Sequence, residues 1–185
     1  MIEPKPKNPE VLFKLAEKIG RNKRLNVGDI LTPLDINCDP IGFGVMDGIC
    51  RVVFPTEDGT NITKAFLRNG EFGVTPYRAS ASSANSYVEA VTISLLLTTE
   101  WSLIEREIKS SAHLHQAIEG ELAAHTAWKT DRWVDDRTLT SKQCYVKLQS
   151  ELGDDFDRIP LHMIAGYIGV SPVQISRLRR ELKNT

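Results

Sequence analysis

The chain has 185 residues, of which 41% are hydrophobic and 25% charged, and its formal net charge is −1 at pH 7. This composition is that of a globular protein of one large or two small domains, and it excludes a disordered chain. The start MIEPKPKNPE is unlike a signal peptide, and no apolar run reaches the about 20 residues that span a bilayer, so we expect a cytoplasmic protein without a membrane segment.

The positive charge is concentrated at the C-terminal end of the chain. Residues 101–160 carry eight basic and 11 acidic side chains, a net −3, whereas residues 161–185 carry four basic and one acidic, a net +3. A local excess of this kind attracts the phosphates of DNA even when the whole chain is nearly neutral.

The first half of the chain is predicted to be one helix followed by a β domain. Residues 9–20 place apolar side chains at helical spacing, and Gly20 suits the end of that helix. After the basic stretch RNKR, the pattern from Leu25 to about Thr99 predicts short strands, among them GICRVVF, ITKAFL and YVEAVTISLLL. The pairs Asp58-Gly59 and Asn69-Gly70 favour hairpins. Many short strands with regular turns predict a compact β-barrel or roll.

From Trp101 onward the pattern is helical, with one glycine and no proline in 36 residues. Five positions form one helical stripe: Leu114, Ile118, Leu122, His125 and Lys129. The length favours a connector or a dimer seam, and the alternative is a helix packed on its own β domain. A hinge is expected at DRTLTSK, followed by the helix QCYVKLQSEL and the acidic turn GDDFD.

The stretch AGYIGVSPVQISRLRREL (165–182) has the layout of a helix-turn-helix. Ala165 is the small residue where two helices touch, and Gly169 allows the positive φ of the turn. Apolar side chains that would hold the pair together follow at Ile164, Ile168, Val170, Ile175 and Leu178. Local signals complete the pattern: Pro160 in the first turn of the first helix, then Ser171, Pro172 and Gln174 as cap, first residue and capping-box partner of the second.

The second helix is predicted to have an inward and an outward face. Inward positions are Val173, Ile175, Leu178 and Leu182, and outward positions are Gln174, Ser176, Arg177 and Arg180. In the major groove Arg pairs with guanine and Gln with adenine, while Ser171, Arg179 and Lys183 suit phosphates. The candidate DNA-binding residues are Ser171, Pro172, Val173, Gln174, Ser176, Arg177, Arg179, Arg180 and Lys183. The alternative is a three-helix cap whose arginines are merely solvated.

The order of these parts resembles the Crp/Fnr family of bacterial transcription regulators. The motifs that carry the resemblance are LNVGDIL (25–31), FGVMDGICRVVFPTEDGTNITKAFLRNGEFG (43–73) and RIPLHMIAGYIGVSPVQISRLRREL (158–182). The resemblance implies an α+β fold with an N-terminal double-stranded β-helix (jelly-roll-like) sensor domain, a long dimerisation helix and a C-terminal winged helix-turn-helix. The implied boundaries are 1–100, 101–137 and 138–185.

Membership of that family implies a homodimer that reads palindromic double-stranded DNA, with half-sites about 34 Å apart. RNA polymerase is a further candidate partner, and any small-molecule effector is unknown.

The resemblance also defines a candidate effector pocket. In cyclic-nucleotide-binding members a Gly-Glu pair holds the ribose and an Arg-Ser pair clamps the cyclic phosphate. This chain keeps Gly70 and Glu71 but has Ala84 and Asn85 in register with the Arg-Ser pair. Because a buried phosphate would lack its counter-charge, cyclic AMP is not the expected ligand. Arg78 could substitute, and the loop ASASS could bind an anion or form a flexible turn, so the candidate pocket comprises Gly70, Glu71, Arg78, Ser83 and Asn85.

No metal or cofactor is expected. The three cysteines, Cys38, Cys50 and Cys144, are scattered, and residues 1–37 hold none, which argues against disulfides, zinc and the iron–sulfur cluster of oxygen-sensing members. His113, His115 and His125 are available to a haem but are expected to be ordinary side chains. Residues 26–99 hold no histidine, so a cupin-type metal site is not expected.

Enzymatic motifs such as GxSxG, a P-loop or HExxH do not occur in the sequence, so an enzyme is not expected. The remaining alternative is an adaptor that acts by protein contacts through the β-roll and keeps a residual helix-turn-helix.

Overall fold

The computed structural model describes residues 10–31, 40–57, 59–75 and 86–183. Within them the elements follow in this order: α1 (Glu10–Ile19), β1 (Arg21–Leu25), β2 (Ile41–Asp47), β3 (Ile49–Pro55), β4 (Asn61–Arg68), β5 (Phe72–Val74), β6 (Tyr87–Ala90), β7 (Ser94–Glu100), α2 (Trp101–Ser110), α3 (Ala112–Thr138), α4 (Ser141–Leu152), a 3-10 helix (Gly153–Arg158), α5 (Leu161–Ile168) and α6 (Pro172–Lys183).

The strands form two antiparallel sheets that enclose an apolar core. One sheet has the order β1-β7-β2-β5 and the other the order β4-β3-β6. Side chains from both sheets meet in the interior, including Phe43, Val45, Cys50, Val88 and Leu96. The predicted α+β class and β-roll are confirmed. After Glu100 the described residues are helical, so strands of a wing are not among them.

Of the two hairpins predicted at Asp58-Gly59 and Asn69-Gly70, the structure supports only the first. The hairpin at Asp58-Gly59 is confirmed on its described side, because β3 pairs with β4 and Gly59 has a φ of +81°; Asp58 itself lies outside the described residues. The prediction of a hairpin at Asn69-Gly70 was wrong. Gly70 does turn the chain with a φ of +80°, but β5 leaves the sheet of β4 and pairs with β2, where the Gly70 amide donates to the Val45 carbonyl.

The helical signals at the start of the chain are confirmed, and the strands begin earlier than expected. α1 ends at Ile19, and the Gly20 amide donates to the Ala16 carbonyl at 2.7 Å. The basic stretch that follows is not a linker. It forms β1 at the edge of the four-stranded sheet, because Arg21 already pairs with Thr98.

The uninterrupted helix expected from Trp101 is in fact two helices. The chain breaks at Ser111, whose backbone is extended and whose hydroxyl accepts the Leu114 amide as the cap of α3. The Ser110 hydroxyl meanwhile bonds the Glu107 carbonyl. Neighbouring serines offer the backbone such local alternatives to the helical ladder, which explains the break.

The first two turns of α3 and the rest of the helix differ in their surroundings. Leu114 and Ile118 pack with α1 and α2 on the β-roll, as in the alternative interpretation. Leu122, Trp133 and Val134 are 49%, 57% and 45% exposed. Beyond Ile118, α3 therefore presents three large apolar side chains that the other described residues leave exposed. None of the described helices could cross a membrane.

The C-terminal helices pack directly on the three-stranded sheet. One buried cluster joins Ile49, Phe66 and Val91 of the roll to the C-terminal helices. Its members on the helical side are Tyr145, Leu148, Leu152, Phe156, Ile159, Met163, Ile164, Ala165 and Ile175. We call the sheet surface that carries Ile49 and Phe66 the docking face. The rings of Phe66 and Tyr167 lie 5.4 Å apart across this contact.

Gly166 sets how closely α5 approaches β4. A Cβ atom built on it would lie 2.5 Å from the Asn61 carbonyl oxygen, which belongs to the backbone and cannot yield as a side chain does. Gly120, in the middle of α3, has open space around the same position.

We therefore expect opposite effects from the same substitution at these two helical glycines. Gly166→Ala should lower the free energy of unfolding by about 1–3 kcal/mol, because overpacking outweighs the gain in helix propensity. Gly120→Ala should raise it by about 0.5–1 kcal/mol through propensity alone. Urea unfolding of both variants and the wild type measures the difference. A stabilised Gly166→Ala would contradict the docked arrangement.

Candidate nucleic-acid interface

The turn between α5 and α6 has the backbone that the sequence predicts. Gly169 is in the left-handed region with φ 81° and ψ 33° and ends α5. The amides of Gly169 and Val170 both donate to the Ala165 carbonyl, at 2.9 and 3.1 Å. Ala165 is buried in the same core as Ile175, so the small residue lies where the helices meet. Pro160 was predicted in the first turn of α5, but it is the N-cap, one residue before the helix begins at Leu161.

The predicted capping box at the start of α6 is present. The Ser171 hydroxyl accepts the Gln174 amide at 3.3 Å, and the Gln174 side-chain oxygen accepts both the backbone amide and the hydroxyl of Ser171, at 2.9 and 3.0 Å. Pro172 takes the first helical position, where its missing N–H costs nothing. The cap fixes where α6 begins and in which direction it points.

The two faces of α6 differ from the prediction at one residue. Ile175 is fully buried, and Leu178 and Leu182 pack against the same core, as expected. Val173 was predicted to face inward, and this was wrong, because it is 60% exposed. At 100° per residue, Val173 lies almost opposite Ile175, so the inward face begins at Ile175.

The candidate DNA-contacting residues of α6 differ in their exposure and in their ion-pair partners. Gln174, Arg177 and Arg180 are exposed, and Ser176 is half-buried on the flank. Arg179 donates to a carboxylate oxygen of Asp157 at 3.0 Å, which ties α6 to the 3-10 helix. The Lys183 side chain lies outside the described ones. Among the described residues, neither Arg177 nor Arg180 has a carboxylate within ion-pair distance.

An ion pair between buried Arg51 and partly buried Glu89 lies on the docking face, and the sequence analysis missed it. Arg51 donates to one oxygen of Glu89 through Nε at 2.9 Å and Nη2 at 2.6 Å, and to the Thr63 hydroxyl through Nη1 at 3.0 Å. Arg51 lies opposite Phe66 in the strand register and therefore on the face that meets α5. An arginine inside the run GICRVVF was the available signal, since a charge in a buried strand requires a partner.

Arg68 joins the β-roll to the base of the helix-turn-helix. Its backbone amide donates to the Glu71 carboxylate at 3.0 Å, and its guanidinium donates to the Leu152 carbonyl at 2.9 Å. It also lies 3.9 Å from Asp155 in the 3-10 helix. One residue thus contacts both a member of the candidate effector pocket and the C-terminal helices.

The candidate effector pocket is described only in part. Gly70 is exposed in its turn and Glu71 is buried. Arg78, Ser83 and Asn85, together with Ala84, lie outside the described residues, so their predicted roles stay predictions.

The described cysteines and histidines show no metal-binding arrangement. Within the described ranges no group of three or more His, Cys, Asp or Glu could hold a metal ion. Burial raises the pKa of the Cys50 thiol to about 11, although a hydrogen bond with Ser94 opposes that rise, so this thiol stays protonated at neutral pH. His113, His115 and His162 are exposed.

Comparison with known proteins identifies the fold. The sequence matches no protein-family model and no curated protein. The structure matches FixK2 from Bradyrhizobium japonicum with a TM-score of 0.69 and 15% identity, covering 90% of this chain and 85% of that one. It also matches a protein from Eubacterium rectale assigned to the Crp/Fnr family of transcriptional regulators (TM-score 0.66, 16% identity, 93% and 82% covered). The chain has the fold of the Crp/Fnr regulators. A cyclic nucleotide-binding domain protein from Listeria monocytogenes EGD-e shares the Crp/Fnr fold (TM-score 0.66, 17% identity, 93% and 88% covered).

The Arg51–Glu89 pair generates a prediction about stability. Arg51→Met or Glu89→Met alone leaves one charge without its partner in a largely buried site and should cost about 3 kcal/mol of unfolding free energy. The double variant should cost no more than either single variant, because it leaves no charge behind. Urea unfolding of the four proteins measures the coupling. Additive losses would show that the two side chains act independently.

Proposed function

We propose that this protein is a sequence-specific DNA-binding transcription regulator that acts as a homodimer. The observation that carries the proposal is the start of α6, where a complete capping box fixes the helix and two arginines, Arg177 and Arg180, stand exposed on its outer face. Exposed cations on an ordered helix suit the phosphates and guanine edges of a major groove. The Crp/Fnr fold supports the same interpretation.

In this proposal residues 1–100 form the sensor, residues 101–137 connect and dimerise, and residues 138–185 bind DNA. No catalytic role is assigned. A change in the roll would alter how the two copies of α6 are presented. Two physical connections support such coupling: α3, which packs on the roll through Leu114 and Ile118, and the direct contact through Arg68.

The exposed apolar side chains of α3 beyond Ile118 support dimerisation. Leu122, Trp133 and Val134 are large side chains left in contact with water, and the alanines at 123, 124 and 127 would let a second helix approach closely. A second copy of α3 would remove this surface from water and set the two α6 helices about a two-fold axis, as a palindromic site requires.

Arg177→Ala should weaken binding to the preferred duplex by about 1–3 kcal/mol and relax base preference at one position. Selection from random duplexes, followed by titration at fixed salt, measures both effects. Arg106→Ala is the matched control, since it removes an exposed arginine from α2 and should change neither. An adaptor that acts by protein contacts would enrich no two-fold symmetric site, and Arg177→Ala would leave its partner binding unchanged.

Trp133→Glu should convert the dimer to monomers at micromolar concentration, because it would place a charge in the centre of an apolar seam. Sedimentation velocity measures the change. Leu95→Glu is the control, because Leu95 is an exposed apolar residue on β7 rather than on α3. A wild-type protein that sediments as a monomer would contradict the proposed seam.

A further inference from the structure

The outward side of α6 is a ridge of three side chains. Val173, Arg177 and Arg180 follow at positions i, i+4 and i+7, which fall within about 60° of one another around a helix axis. Ile175, fully buried, lies on the opposite side. Gln174 lies to the side of the ridge, about 100° from Val173. The centre of the outer face is therefore an apolar side chain followed by two cations.

Gln174 is poorly placed to read a base. Recognition of adenine needs both halves of the amide, since the oxygen accepts from N6 and the nitrogen donates to N7. The oxygen already accepts two hydrogen bonds from Ser171, at 2.9 and 3.0 Å. Reading adenine would break the capping box that starts the helix, so the two roles of Gln174 exclude each other.

Val173, unlike Gln174, is free of a structural role and is well placed to contact a base. It is 60% exposed in the first turn of α6 and contributes little to the core. In helix-turn-helix proteins this N-terminal part of the second helix contacts base edges. An apolar side chain has one specific partner in the major groove, the C5-methyl group of thymine.

Resting on the proposed DNA-binding function, we propose that Val173 contacts a thymine methyl group in each half-site, and that Gln174 positions α6 and reads no base. Arg177, one turn further along the same ridge, reads a neighbouring guanine. The half-site thus contains a thymine recognised only by its methyl group.

The test replaces each thymine of the selected half-site in turn by deoxyuridine, which pairs identically but lacks the methyl group. At one position the wild type should lose affinity by about fourfold, the factor that burial of one such group is worth. Val173→Ala should bind the thymine and deoxyuridine duplexes equally at that position. Its affinity for the thymine duplex should be close to that of the wild type for the deoxyuridine duplex.

Gln174→Glu is the matched variant for the second half of the proposal. Glutamate keeps the oxygen that the capping box requires and removes the amide donor that adenine requires. Its added negative charge should weaken binding to all duplexes alike, with base preference unchanged at every position.

Four results separate the possibilities. Equal thymine discrimination by the wild type and Val173→Ala, or no effect of deoxyuridine at any position, would overturn the role of Val173. Loss of preference at one position in Gln174→Glu would overturn the positioning role of Gln174. Failure of the wild type to enrich any duplex sequence would instead overturn the DNA-binding function itself.

Discussion

The contact between the docking face and the C-terminal helices joins the β-roll to the helix-turn-helix. Side chains that are distant in sequence, such as Ile49 and Phe66 of the roll and Met163 and Ile175 of the helix-turn-helix, share one apolar core. Four short helical segments of this size bury little apolar surface among themselves, so the sheet supplies a large part of their support. Gly166 allows the approach by leaving room for a backbone carbonyl.

The position of α6 follows from this contact. The core fixes α5, Gly169 turns the chain, and the capping box at Ser171 starts the next helix at a defined angle. Asp157 then holds α6 on its flank through Arg179. The capping box holds the start of α6 and the apolar core holds its inner face, so the direction of the helix is fixed. Neither contact covers the outer ridge, which stays exposed. Such pre-organisation limits the entropy that binding would otherwise cost.

Local signals could be predicted from the sequence, and long-range contacts could not. The turn at Gly169 and the capping box depend on residues within five positions of one another, so their chemistry is visible in the sequence. The turn at Gly70 was also visible, but its strand partner lies in the other sheet, and no local rule gives that choice. The exposure of Val173 and the close approach at Gly166 likewise depend on where distant elements pack.

The shared core makes the roll and the helix-turn-helix one cooperative unit, and native-state hydrogen exchange measures this most directly. Amide exchange followed at increasing, sub-denaturing urea reports the free energy and the exposed surface of each opening reaction. We expect the slowest amides of α5 and those of β3 and β4 to exchange through the same opening reaction. If the amides of α5 and α6 open together at markedly lower free energy while β3 and β4 stay protected, the helix-turn-helix folds and moves on its own and the two parts are not one cooperative unit.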